Sequence, residues 1–392
     1  MTWKNVNPME QRILFIADYL RHSYTDFSSL CLRYDISRKT GYKWVERYQR
    51  MGEEGLHEQS RKPKNHPFTT PFIVRKAIVE FRKNSKSKFG PKKIQAKLRT
   101  KFPKSDPPSI TTIYNILKQE GLIDSRRTRR RVSVYKQPFK GVKSANDLWT
   151  VDFKGQFQMK DGQWCYPLTI MDHHSRFLLS SEGLTTTATP DSKAVFEQMF
   201  RKYGLPRRIR SDNGVPFASK APGGLSTLSI WWIKLGIHPE RIKPGKPQQN
   251  GQHERMHRTM KDAISDDIMK NLSQQQEVLE DFRNEYNHER PHESLNQEYP
   301  CDWYTPSDRV YPESLKEMDY PDHFLKRKVS TTGTIYWGNG QVYLTNILKD
   351  ELVGMVEIND GIWDIYFGHI RLGCFDKNCV KGKKSAYWTL KV

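Results

Sequence analysis

The chain has 392 residues, with 65 Lys and Arg against 44 Asp and Glu, 12% aromatic residues and five cysteines. That length supports several domains with cores of their own, and the aromatic content argues for folded domains over disorder. Cys31, Cys165, Cys301, Cys374 and Cys379 are too few and scattered for a disulfide scaffold, no apolar run reaches the ~18 residues of a membrane span, and the opening MTWKNVNPMEQ lacks the marks of a signal peptide, so a reducing, non-membrane setting is expected.

The net charge of +21 is segregated. Residues 1–145 carry 33 Lys and Arg against 12 acidic residues, whereas the remainder carries 32 against 32. The whole excess therefore lies in the first third, as a module that binds a polyanion such as nucleic acid would place it.

In chain order, PMEQRILFIADYLRHS has helical apolar spacing at Ile13, Ile16, Ala17 and Leu20. Thr25 is the expected cap of a second helix carrying Leu30 and Leu32. After YDIS, Ser37 is the expected cap of RKTGYKWVERYQ, packing through Val45 and Tyr48. Helix, short turn and helix over residues 1–60 is a helix-turn-helix pattern, and Arg38, Lys39, Thr40 and Lys43 would meet base edges and phosphates. The polar EQSRKPKNHPFTTP leads to a second helical unit, winged or helix-turn-helix-like, over 61–124. There GPKKIQAKLRTKF starts at Pro91, and SITTIYNILKQEGL, with Ile110, Ile113 and Leu117, is capped by Ser109. Residues 125–145 form a basic linker in which Arg126, Arg127, Arg129, Arg130 and Arg131 would track a phosphate backbone.

From residue 146 the texture changes. DLWTVDFKG, WCYPLTIMD and RFLLSSEGL read as strands, PDSKAVFEQMFRKYG as a helix, RRIRSD as a strand, GLSTLSIWWIKLG as a helix and IHPER as a short strand. Residues 146–310 are thus an α/β domain with a mixed sheet. Over 322–392, strand alternation around Asn339-Gly340 and Asp360-Gly361 predicts a small β-barrel-like domain.

Asp152 sits inside an otherwise apolar strand, where a carboxylate is costly unless paired, hydrogen-bonded or bound to metal. Asp212 follows another strand, and Glu254 lies near a helix start. Together they would suit a hard cation. Singly, Asp152 could be a buried acceptor, Asp212 a turn residue and Glu254 an N-terminal helix charge. Asp172 reads as structural, pairing Arg176. His253, Glu254 and His257 also spell H-E-x-x-H, the zinc-hydrolase motif, which would leave the basic module and both aspartates unexplained. Cys374 and Cys379 lack a matching pair and read as free thiols.

WTVDFKG, IRSDNGVPF and KPGKPQQNGQHERMHRTMK, in that order, resemble the DDE integrase core of bacterial insertion-sequence transposases and retroviral integrases. YNHERPHESLN resembles the segment that follows the catalytic helix in the bacterial members. The resemblance implies a ribonuclease H-like core in which Asp152, Asp212 and Glu254 are catalytic and hold Mg²⁺ or Mn²⁺, as two ions. It implies phosphodiester hydrolysis at the ends of an element and strand transfer into target DNA. The expected partners are double-stranded DNA, at the element's inverted repeats and the target, and further copies of the chain; an accessory ATPase is left open. The expected setting is the bacterial cytoplasm, at the nucleoid. Arg258 and Lys261, four and seven residues beyond Glu254 on one helical face, would hold DNA phosphate. Asn213 and Gly214 would shape the active-site turn, and Asn250 and Gly251 the helix start. The 41 residues between Asp212 and Glu254 exceed the spacing of many relatives, which bears on the intervening loops more than on the chemistry. The alternative is a catalytically silent, transposase-derived DNA-binding regulator, which an incomplete carboxylate set would have favoured.

Overall fold

A computed structural model describes residues 7–59, 69–123, 141–243, 247–265, 267–338, 340–379 and 386–392. The chain divides into two compact units, Met1–Thr69 and Thr70–Val392.

The first unit holds α1 (Pro8–Leu20), α2 (Phe27–Arg33) and α3 (Arg38–Met51). Phe15, Ile16, Leu30, Cys31, Trp44 and Val45 form its core. Ser37 caps α3 as expected, accepting from the Thr40 N–H. The cap of α2 is Asp26 in place of Thr25, because the Asp26 carboxylate and Ser29 form a reciprocal capping box. Of the expected apolar positions Ile16 and Leu30 are buried, whereas Ile13, Leu20 and Leu32 are exposed, and Phe15 takes a core place the sequence reading did not assign.

The second unit opens with α4 (Phe72–Asn84), α5 (Pro91–Lys101) and α6 (Ile110–Gln119), packed around Ile78, Ile94, Ile113 and Leu117. Helix α4 is absent from the sequence reading: FIVRKAIVEFRKN has helical spacing but sits directly against the polar stretch read as a linker. Pro91 starts α5 and Ser109 caps α6, as expected.

The α/β domain comprises β1 (Trp149–Phe153), β2 (Phe157–Gln158), β3 (Trp164–Asp172), β4 (Leu178–Leu184), α7 (Thr189–Tyr203), β5 (Arg208–Ser211), α8 (Thr227–Lys234), β6 (His238–Arg241), α9 (Gly251–Ile264), α10 (Leu272–Asn284) and the short α11 (Pro300–Trp303). Its sheet is mixed. Strand β3 pairs antiparallel with β1, β2 and β4, while β1–β5 and β5–β6 are parallel. Alternation along β1 sends Trp149 and Val151 to the face covered by α7 and α8, and Thr150 and Asp152 to the face that receives α9 and α10.

The last part contains β7 (Leu325–Lys328), β8 (Thr334–Trp337), β9 (Gly340–Tyr343), β10 (Leu352–Asn359), β11 (Ile362–Phe367), β12 (Ile370–Asp376) and β13 (Ala386–Trp388). The hairpin at Asp360-Gly361 forms, with Gly361 at φ 75°. The expected barrel-like domain is met only in part: a small all-β domain forms, but its strands make one four-stranded and one three-stranded sheet, with no closed barrel among the described residues. Both sheets close on one apolar core that also takes Ile230 and Ile233 of α8, so the domain buries its open side against the α/β domain.

Candidate active site

Two neighbouring strands set the spacing of the site. In the parallel pair β1–β5, Trp149 lies opposite Ile209 and Thr150 opposite Arg210. Two residues further along each chain come Asp152 and Asp212, at the carboxyl ends where sites of α/β sheets collect. The turn after β5 is tight: the Gly214 N–H donates to Asp212 Oδ1 at 3.0 Å. A Cβ on Gly214 would stand only 3.0 Å from Asp212 Oδ2, so any larger residue there would press on the Asp212 carboxylate. Asn213 donates to the Ile242 carbonyl at 2.9 Å, tying the turn to the end of β6.

Glu254 lies in the first turn of α9, which begins at Gly251 with Asn250 at its N-cap position; the Asn250 side chain makes no capping bond. His253 is fully buried and holds this helix to the sheet. Its Nδ1 is 2.9 Å from Thr150 Oγ1 and its Nε2 is 2.7 Å from Thr169 Oγ1, which also lies 2.7 Å from His257 Nε2. The Thr169 hydroxyl has one proton and a third partner, the Asp152 carbonyl at 2.9 Å, which can only accept. Both imidazoles must then donate through Nε2, leaving His253 Nδ1 to accept from the Thr150 hydroxyl at 2.9 Å, whose proton the Met171 carbonyl shares at 3.3 Å. Burial holds both rings neutral: it drives His253 well below the usual imidazole range and His257 down to about 3, helped there by Lys154.

The H-E-x-x-H spelling is thereby resolved. The histidines face the threonines of β1 and β3 while Glu254 stands exposed, and among the described residues no three His, Cys, Asp or Glu side chains converge as a ready metal site. The cysteines are free, as read from the sequence.

The electrostatics single out Asp152. Burial first, and then the nearby Asp212 carboxylate, push its proton affinity up to about 7 against an opposing hydrogen bond from the Phe153 N–H, with Glu254 adding the smallest push. Three oxygen-donor side chains thus share one region and repel. Their oxygen-donor chemistry is of the kind a hard divalent cation takes, toward which the side chains would have to draw together.

Basic groups adjoin this acidic centre. Arg258 and Lys261 are exposed on α9. Lys154 was missed by sequence reading; its ammonium is held below the usual lysine range by burial first and by Lys261 second. Its place two residues after Asp152 was the available signal. Thr169 and Arg210 were also missed. Arg210 is buried and donates to the Gln249 carbonyl at 3.3 Å, bracing the approach to α9 from β5.

Asp172 is structural as expected, but its partners differ. It accepts from the N–H groups of Asn146 and Ser175 and from the Ser175 hydroxyl, at 2.7–2.8 Å, while Arg176 donates to the His173 carbonyl. In the first unit, Arg38, Lys39 and Lys43 are exposed at the start of α3, whereas the Thr40 hydroxyl is engaged with Ser37 at 3.0 Å. Arg126, Arg127, Arg129, Arg130 and Arg131 lie outside the described residues.

Comparison with known proteins supplies the family context. Integrase core domain families match residues 142–247 and 235–300, a homeodomain-like family 40–117 and a helix-turn-helix family 11–64. An uncharacterized 39.2 kDa protein of insertion element IS476 from Xanthomonas euvesicatoria is 27% identical over 221 residues, 55% of this chain and 60% of that protein. An uncharacterized 31.7 kDa protein of insertion element IS407 from Burkholderia multivorans is 26% identical over 199 residues, 49% of this chain and 67% of its own length. Among solved structures, the HTLV-2 integrase catalytic core domain in complex with magnesium aligns with 41% of this chain and 97% of its own, at 15% identity and a TM-score of 0.32.

Proposed function

We propose that this chain, which carries an integrase core and is similar to insertion-sequence proteins of the DDE integrase superfamily, is a DNA transposase. It would bind the terminal inverted repeats of its element, hydrolyse a phosphodiester at each end, and join the freed 3′-hydroxyl to target DNA. The observation that carries this reading is the placement of Asp152 and Asp212 at adjacent strand ends, with Glu254 close enough to raise the Asp152 proton affinity.

In this reading each group has a physical task. Asp152 and Asp212 present carboxylates from a rigid sheet, and Glu254 presents a third from a helix pinned by His253. These three would hold Mg²⁺ or Mn²⁺, as two ions, which when bound would neutralise phosphate charge and favour the deprotonated attacking oxygen. The neutral imidazoles brace the site and leave its acidic character intact. Arg258, Lys261 and Lys154 would grip the flanking phosphates. The exposed start of α3 would read the major groove through Arg38, Lys39 and Lys43, with further phosphate contacts along the arginines of 126–131. Processing two ends together calls for at least two copies on DNA.

Incubation of the purified protein with Mg²⁺ and labelled DNA from the flanks of its own gene tests the proposal. Nicks ending in 3′-hydroxyls, followed by joined products, support it. Nicks without joining indicate a nuclease, and specific binding without nicks indicates the DNA-binding regulator.

A further inference from the structure

We propose that residues 285–293 form a clasp fixing the α4–α6 bundle to the catalytic core, so that DNA held by the bundle reaches Asp152, Asp212 and Glu254 at a set distance. The clasp rests on contacts alone; its use in presenting DNA rests on the transposase reading above.

The clasp closes around Ser87, in the loop joining α4 to α5. The Glu285 carboxylate, only 9% exposed, accepts the backbone N–H of Lys86 at 2.7 Å and of Ser87 at 3.1 Å, and takes the Ser87 hydroxyl in a short bond. Arg290 reaches the same residue from another direction, donating to the Ser87 carbonyl at 3.2 Å and to its hydroxyl. Lys93 of α5 donates to the Pro291 carbonyl. At the rim, Lys86 pairs with Asp281 at 2.8 Å and Lys92 with Glu293 at 2.5 Å. A buried carboxylate met by two backbone N–H groups sets direction and register, as an adjustable contact between surface side chains does not.

The same segment grips the core with its other side. After Asn284 the helix widens into a π-turn over Glu285–Glu289, a local change of register of the kind that recurs at functional sites. Within that turn Glu285 engages the bundle, while the buried Asn287 accepts from the Leu178 N–H at 2.8 Å and donates to the Leu178 carbonyl at 2.9 Å. Leu178 opens β4, which pairs with β3, and β3 carries the Thr169 that holds Asp152. A continuous chain of packed elements thus joins Ser87 to the candidate catalytic carboxylates. The exposed residues of α6, Thr111, Tyr114, Asn115 and Lys118, are free of the clasp and available to DNA.

Hydrogen exchange on the full-length protein decides whether the clasp exists. The Lys86 and Ser87 amides should be protected in the wild type, and Glu285→Ala should accelerate their exchange at least about tenfold while Ile113 and Ile170 stay protected. Should Glu285→Ala fail to fold, the exposed pair provides a second route: Lys86→Asp should accelerate the same amides, and adding Asp281→Lys should slow them again. Rapid exchange at Lys86 and Ser87 in the wild type would overturn the clasp. Its role is read on DNA: the opened variant should bind an element end normally yet scatter or lose the nick. Wild-type cutting by an opened variant would overturn the role. A wild type that cuts no DNA would count against the transposase reading and leave the exchange result standing on its own.

Discussion

The Thr169 hydroxyl donates to the carbonyl oxygen of Asp152 at 2.9 Å, across the antiparallel pair β3–β1. The same hydroxyl receives both His253 and His257, so one threonine ties the first carboxylate's strand to the helix bearing Glu254. Replacing it tests that tie. Thr169→Val keeps the shape and strips two buried N–H donors of their acceptor, so it should lower the unfolding free energy by about 2–4 kcal/mol in urea titrations. Thr169→Ser should recover most of that loss.

The histidines also make a prediction about metal removal. With both Nε2 atoms spent on Thr169 and His253 Nδ1 spent on Thr150, zinc has no place between them. Treatment with a zinc-selective chelator should leave the urea midpoint and any nicking activity unchanged; loss of either would revive the zinc reading.

Asp152 should leave a signature in the pH dependence of stability. Its folded proton affinity, at about 7, lies above the ordinary carboxylate value. Between pH ~4 and ~7 the folded chain therefore keeps a proton that the unfolded chain has released, and stability falls as pH rises through that window. Without divalent ions, Asp152→Asn should gain on the wild type by on the order of 2 kcal/mol between pH 4 and pH 8. Parallel pH profiles would show that burial and the neighbouring carboxylates do not raise the Asp152 proton affinity. Mg²⁺ should stabilise the wild type at pH 8 more than at pH 5, because protons compete for the site.

Arg258 and Lys261 are exposed beside the acidic centre, so their loss should weaken DNA binding without unfolding α9. The double change to Ala should lower affinity roughly tenfold at low salt and flatten the slope of log affinity against log salt by about 2, one for each phosphate contact. An unchanged slope would move the DNA elsewhere.

Asn287 makes two buried bonds to the Leu178 backbone. Asn287→Ala should cost about 2–4 kcal/mol in urea unfolding. Asn287→Asp should not rescue it, because a carboxylate cannot donate to the Leu178 carbonyl. Near-wild-type stability in either variant would contradict the gripping role of this segment.

Much of the arrangement was legible in the residues because it is local. Pro91, Ser37 and Ser109 mark helix starts through their own backbone and side-chain chemistry, and a carboxylate inside the apolar run WTVDFKG marks Asp152 as a side chain that needs a partner. What escaped depends on distant partners. Thr169 and Thr150 look like ordinary strand residues until α9 lays two histidines across them. Glu285 reads as a helix-surface charge until the loop at Ser87 folds over it. The two-sheet form of the last domain was hidden for a related reason: hairpin signals specify neighbouring strands, whereas closure depends on what covers the open side, here the α8 residues Ile230 and Ile233.

The most direct measurement compares wild type with Asp212→Asn on element-end DNA in Mg²⁺, following binding, nicking and joining in one reaction. Asp212 is half-buried at a turn, and Asn preserves its size, so the variant should fold and bind DNA as the wild type does. Nicking and joining should fall by at least about a thousandfold, about 4 kcal/mol of lost transition-state stabilisation, with binding intact. Nicking and joining by Asp212→Asn at the wild-type rate would contradict the proposed role of Asp212.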